Sequence, residues 1–302
     1  MVNQLSIPLL NRIPFKRAQR WLLRKILIRS SGSGFPSGHF YSPLIDVDEF
    51  SKGVDAYTHK ARSHWERAGL DLQAHLLLHE EFMESATRFP ALAHPRYSNQ
   101  NVYFYHADAF TAAGILRKFQ PKRVVEIGSG FSSAAMLDCC QSTGLDTHFD
   151  FIDPYPDRLE AILTREDRDQ HEIHASFVQD IPSSVFTALN ANDILFVDSS
   201  HVLKIGSDLE DIFLRILPAL KPGVIVHFHD VFYPTPYPVD WIQNGRAWNE
   251  ALVLQVLLLN SSVFEVIFFN SFFASAARDV LSESNPQFLD GIPASIWLRK
   301  CK

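Results

Sequence analysis

The stretch RVVEIGSGFSSAAMLDCC (123–140) decides the fold. Val124, Val125 and Ile127 form a short apolar run of the kind buried inside a parallel sheet. Gly128-Ser129-Gly130 follows at once, and the residues from about Ser132 to Cys140 read as an apolar helix. Strand, glycine turn and helix in that order put a helix N-terminus directly behind a sharply turning backbone. Such a turn lets a ligand come close to the main chain.

The same rhythm extends outward in both directions. Upstream, residues 107–119 carry Ala109, Ala112, Ala113, Leu116 and Phe119 at helical spacing and stop before Pro121. Downstream, HFDFID (148–153), IHASFV (173–178), DILFVD (193–198) and VIVHFHD (224–230) read as four further strands. VFEVIFF (263–269) and ASIWLRK (294–300) supply two closing ones. Between them the spacing predicts a helix over roughly 157–166. A second has one apolar stripe of Ile205, Leu209, Ile212, Phe213, Ile216 and Leu217, and a buried helix is expected from Trp248 to Leu259. Strands alternating with helices predict an α/β fold, a seven-stranded and mostly parallel sheet covered by helices on both faces. Such sheets bind ligands beyond the carboxyl ends of their strands.

Five of those strand ends carry an acid: Glu126, Asp153, Asp180, Asp198 and the pair His229-Asp230. Solvated acids beside packing glycines are the plainer explanation, but the ordered repetition favours a site. Asp153 is placed to accept hydrogen bonds from both hydroxyls of a ribose. His201, three residues past Asp198, is a candidate general base because imidazole titrates near neutral pH; it could equally cap the next helix. Asp198, His229 and Asp230 are expected to converge, and two carboxylates with an imidazole repel one another unless a cation, a proton or a substrate donor intervenes. A divalent ion, magnesium or manganese, or a pair of substrate hydroxyls is therefore expected between Asp198 and Asp230, with His229 as third ligand. The segment 232–250, with five aromatics, three prolines and Arg246, suits a substrate wall, and Tyr103, Tyr105, His106 and Asp108 could line the same mouth.

Glu126-Ile127-Gly128-Ser129-Gly130, with Asp153 after the second strand, resembles the first two motifs of class I S-adenosylmethionine-dependent methyltransferases, whose sheet is Rossmann-like. The resemblance covers about residues 103–300. Val197-Asp198-Ser199-Ser200-His201 and Phe228-His229-Asp230 are similar to the bacterial subgroup of macrocin-type O-methyltransferases and cephalosporin-hydroxylase-like proteins, which typically have Asp-Gly-Asp-His where this chain has Asp-Ser-Ser-His. The resemblance implies S-adenosylmethionine as cofactor. Gly128 and Gly130 would approach its methionine part, Ser129 and Asp198 would lie beside it, and Glu126 would brace the turn or meet the amino group. Asp153 would take the ribose and Asp180 the adenine amino group. The reaction implied is methylation of a hydroxyl on a small molecule or glycan, with His201 and Asp198 as the catalytic pair. A nicotinamide or nucleotide-sugar enzyme is the competing class, although position 133, where its third glycine would stand, is serine. A non-catalytic cofactor-binding protein is the third.

Composition narrows the partners. The chain has 302 residues, 28 basic and 34 acidic. Seven of the basic residues, from Arg12 to Arg29, fall within residues 1–45, which hold no acid, so the remainder is distinctly acidic. An acidic body argues against a nucleic-acid partner. Residues 16–29 could form a basic amphipathic helix touching an anionic membrane surface, with residues 30–38 as linker. The sequence divides into a basic N-terminal segment and linker (1–38), a helical cap region (39–102) and a binding domain (103–302). Three cysteines, two of them adjacent, fit a reducing, cytoplasmic setting, and a homo-oligomer is a further possibility.

Overall fold

The computed structural model describes residues 34–88 and 95–302. The expected amphipathic helix at 16–29 lies outside the described residues. Two compact units are present. The smaller takes residues up to Ala56 together with Val239–Ala247, and the larger takes Tyr57–Pro238 and Trp248–Lys302. In the smaller unit, a short helix (Val47–Lys52) is capped by Asp46, whose side chain accepts the Glu49 N–H at 2.9 Å.

The larger unit contains the sheet. Its strands are β1 (Arg123–Ile127), β2 (His148–Ile152), β3 (Glu172–His174), β4 (Ile194–Val197), β5 (Ile225–Phe228), β6 (Phe264–Phe269) and β7 (Ile296–Lys300). They lie in the order β3-β2-β1-β4-β5-β7-β6, with β7 antiparallel to both neighbours and β1 to β5 all parallel. The register pairs Ile127 with Ile152 and with Val197, and Val197 with Phe228. Four strand ends are therefore level along one edge, and the acids that follow them emerge side by side.

Side chains alternate across each strand, which assigns the two faces. On one face Phe196 and His227 stack, with Phe104 and Trp297 against them, under the helix His106–Phe119. On the other, Phe228 stacks against Phe213 from the helical segment that begins at Asp208. Burying whole aromatic side chains such as Phe149, Phe151, Phe196 and Trp297 contributes roughly 1.5–3 kcal/mol each, the usual scale for a large apolar group.

Several boundaries depart from the sequence reading for visible reasons. The third strand stops at His174, since β3 is an edge strand pairing only with β2, and the chain turns there into a 3-10 turn at Val178–Asp180. The single helix expected over 157–166 is two, Asp157–Ile162 and Arg165–Gln170, because Thr164 caps the second by accepting the Asp167 N–H. Ile205 does not join the buried stripe: Ser207 caps a helix that starts only at Asp208, and Ile205 is 96% exposed. The apolar helix Glu250–Asn260 buries one side only, with Leu252 and Val256 exposed.

Candidate active site

At the end of β1, Glu126 is completely buried. It accepts hydrogen bonds from the hydroxyls of Ser132 at 2.5 Å and Ser133 at 2.6 Å, and the Gly130 N–H donates to Ser133 at 2.9 Å. Burial pushes this carboxyl up to about 8, against the pull of the two serines. Glu126 thus ties the strand to the first turn of helix Phe131–Thr143. Ser132 and Ser133 are both part of that tie.

The two glycines answer to neighbouring parts of the chain. Gly128 has φ +79°, and a Cβ there would lie 1.9 Å from the carbonyl oxygen of Asp198, because the segment leaving β4 crosses directly over the turn. The crossing is pinned by Asp198 N–H donating to the Ile127 carbonyl at 2.8 Å. At Gly130 an added Cβ would meet Cδ of Arg158 at 2.8 Å. The atoms that demand glycine here are those of Asp198 and Arg158, a physical cause the motif alone does not reveal.

Asp153 joins the second loop to the first. One oxygen accepts the Ser129 N–H at 3.1 Å and its hydroxyl at 3.4 Å, and the other accepts the Tyr155 N–H at 2.8 Å. A carboxylate offers about four lone-pair positions, so half-buried Asp153 keeps acceptor capacity for a ribose hydroxyl. Asp180 stands exposed in the turn after β3.

The ends of β4 and β5 are arranged differently. His201 (φ +61°) and Asp230 (φ +55°) are both non-glycine residues in the left-handed region, a backbone state costing of order 1 kcal/mol or more that tends to mark functional sites. His201 is buried. Its Nδ1 is 2.8 Å from Oε2 of buried Glu250, and its Nε2 lies 3.5 Å from Oδ1 of Asp198 and 3.5 Å from Oδ2 of Asp230. The hydroxyl of Ser199 donates to the other Glu250 oxygen at 3.3 Å, and the backbone N–H groups of Asn249 and Glu250 donate to the His201 carbonyl. Trp248 packs on the imidazole with ring centroids 4.4 Å apart.

Burial opposes charge on His201, yet hydrogen bonds and attraction from Asp198 and Glu250 outweigh it and hold the imidazole well above its ordinary 6.5. Burial raises Glu250. It also opposes ionisation of Asp198, but His201 and His229 bring that carboxyl below its usual value. The Asp198 side chain is 37% exposed and that of Asp230 17%, so this cluster opens outward on the carboxylate side.

The expected metal set does not form. Asp198 and Asp230 do converge, but the ring between them is His201. Strand alternation turns His229 away from Asp230, and although it stays near enough to Asp198 to lower that carboxyl, it is buried, its Nε2 is 3.3 Å from the Tyr103 carbonyl, and its ring packs 5.3 Å from Phe104. Among the described residues, the group whose ligand atoms come together is Asp150, Glu172 and His174 on β2 and β3, where Arg123 already grips Asp150 at 2.7 and 2.9 Å. His201 does not cap the following helix, a task taken by Ser207. Asp108 is not at the mouth. It is fully buried and accepts from the Asn270 amide at 2.8 Å, the Ser295 hydroxyl and the Ala294 N–H. Glu250 was missed in the sequence; its one signal is that it is the sole acid in an otherwise apolar helix, 49 positions from its partner.

Residues 125–231 match the family model described as a methyltransferase domain. An uncharacterized protein of Archaeoglobus fulgidus is 32% identical over 178 residues, covering 55% of this chain and 78% of that protein. Among solved structures, similarity extends to the CmcI-N160 apo-structure (14% identity, 66% of this chain and 72% of that one, TM-score 0.43). It extends also to SAH-bound PaMTH1 of Podospora anserina (18%, 86% and 99%, TM-score 0.40). The O-methyltransferase TomG of Streptomyces achromogenes, in complex with SAM, is 15% identical over 67% of this chain and 83% of its own (TM-score 0.40). Residues 125–231 therefore carry a methyltransferase domain.

Proposed function

We propose that this enzyme methylates a hydroxyl group of a small molecule or glycan, with His201 as the base. The observation that carries the reading is the imidazole held between buried Glu250 on one nitrogen and the Asp198 and Asp230 carboxylates beside the other. S-adenosylmethionine, when bound, supplies an electrophilic methyl group. Asp153 receives the ribose hydroxyls, Asp180 the adenine amino group, and Glu126, Gly128, Ser129 and Gly130 shape the turn under the methionine part.

The chain's own work is alignment and proton removal. An acceptor hydroxyl entering between Asp198 and Asp230 donates toward Nε2 of His201. Glu250 fixes the ring by accepting a hydrogen bond from the Nδ1–H, and the outer carboxylates stabilise the imidazolium formed on proton transfer. Because Asp198 and Glu250 raise the imidazole against the opposing effect of burial, the base form is populated only as pH climbs above the ordinary histidine range. Turnover therefore rises with pH through that region. The free thiols Cys139, Cys140 and Cys301 support a cytoplasmic setting.

The test is methyl transfer from labelled S-adenosylmethionine to panels of phenolic, sugar and amine acceptors. Hydroxyl acceptors should react, and His201→Asn should abolish the reaction without loss of S-adenosylhomocysteine binding. Exclusive reaction with amines, or a fully active His201→Asn, contradicts the proposal.

A further inference from the structure

Arg158 stands in the helix Asp157–Ile162, immediately after the Asp153 turn. Its guanidinium carbon lies 4.4 Å over the Tyr103 ring and 5.9 Å from the Phe131 ring centre. Those two rings are themselves parallel within 8° and 5.9 Å apart. The same side chain passes over Gly130, where an added Cβ would be 2.8 Å from Cδ and 3.8 Å from Nη1. It is near enough to Asp198 to help lower that carboxyl. Among the described residues its contacts are these aromatic faces and the glycine turn, with no carboxylate at ion-pair distance.

An exposed arginine left to itself would fan into solvent. Here the Tyr103 face holds the guanidinium, and glycine at 130 leaves room for its stem. The turn beneath is otherwise flanked by the carboxylates of Asp153 and Asp198, with Glu126 buried under it and raised to about 8. A ligand laid across it with an amino group and a carboxylate finds partners for the amine, but its carboxylate meets only like charge. Arg158 is the cation placed to reverse that, with a planar fork matched to two carboxylate oxygens.

We infer that Arg158 binds the α-carboxylate of the methyl donor's methionine part, preset for it by stacking on Tyr103 and Phe131. The inference rests on the S-adenosylmethionine reading of the site. It also gives Gly130 a purpose: any side chain there would displace the anchor.

Calorimetry with two ligands tests it. S-adenosylhomocysteine carries the amino-acid part, whereas 5′-methylthioadenosine has the nucleoside and sulfur without it. Arg158→Gln should weaken S-adenosylhomocysteine about 10- to 100-fold, the range for loss of a charge-assisted pair, and leave methylthioadenosine within twofold. Arg158→Lys should recover part of the loss, and Tyr103→Leu should weaken S-adenosylhomocysteine alone by a smaller factor. Equal S-adenosylhomocysteine affinity in wild type and Arg158→Gln overturns the assignment, as does an equal loss for both ligands. Wild type that binds neither ligand overturns the methyl-donor reading as well.

Discussion

The loops after β1 and β2 and the loops after β4 and β5 share one edge of one sheet but are built by different means. In the first pair, carboxylates face main-chain N–H groups and nearby serines, and most partners are a few residues apart: Glu126 with Ser132 and Ser133, and Asp153 with Tyr155, while Ser129 meets Asp153 across 24 positions between neighbouring strands. In the second pair, a histidine in a left-handed backbone state is gripped by an acid 49 positions away and flanked by carboxylates from two strands. The first region is a receptacle specified locally. The second is a charged cluster that exists only once the sheet has closed, and its geometry suits chemistry better than passive binding.

That contrast predicts separable defects. The largest belongs to the second region: His201→Asn should lower turnover by about 10²- to 10⁴-fold, the usual contribution of a general base, with S-adenosylhomocysteine affinity nearly unchanged. A parallel fall in affinity would blur the two regions into one.

Next is Gly128→Ala. Its positive φ and the Asp198 carbonyl 1.9 Å from the new Cβ leave no relaxed position, so stability should fall by about 3 kcal/mol or more, read as a lowered denaturation midpoint. A midpoint close to wild type would mean that the two loops do not cross so tightly.

Asp153→Ala should follow, weakening S-adenosylhomocysteine by about 1–3 kcal/mol through loss of charge-assisted hydrogen bonds. Its kcat at saturating cofactor should stay close to wild type. A kcat defect with normal affinity would move Asp153 to the chemical side of the comparison.

How far each region could be read from the sequence follows from the same difference. The glycine turn, the strand-end acids and the alternation of strands and helices are local patterns, and they anticipated both the sheet and the residues grouped along its edge. His229 as a metal ligand was misjudged because adjacency to Asp230 hides the strand pleat, which sends neighbouring side chains to opposite faces. Glu250 escaped notice because a single acid at the head of an apolar helix gives no hint of its partner until tertiary packing supplies one. The glycines were recognised but their cause was not, since neither the Asp198 carbonyl nor Arg158 is adjacent in sequence. Helix boundaries at 164 and 207 were set by capping side chains that compete with simple periodicity.

A further expected effect lies in the first region and concerns pH. Glu126 has its folded-state value raised to about 8, so the folded protein holds this proton more tightly than the unfolded chain does. Its contribution to stability is full below about 4.5, the ordinary carboxyl value, and is lost as pH rises toward 8. Glu126→Gln, which cannot ionise, should therefore flatten the decline in melting temperature between pH 5 and 8. An unchanged slope would show that Glu126 is ionised in its pocket.

The central claim is that Glu250, with Asp198, keeps His201 protonated beyond the ordinary histidine range and aims it at the acceptor. Titration of the His201 ring by NMR, assigned by its disappearance in His201→Asn, reads this directly and needs no knowledge of the substrate. The account predicts a midpoint clearly above 6.5 in wild type and a downward shift in Glu250→Gln. A midpoint at or below 6.5 that Glu250→Gln leaves in place would contradict it.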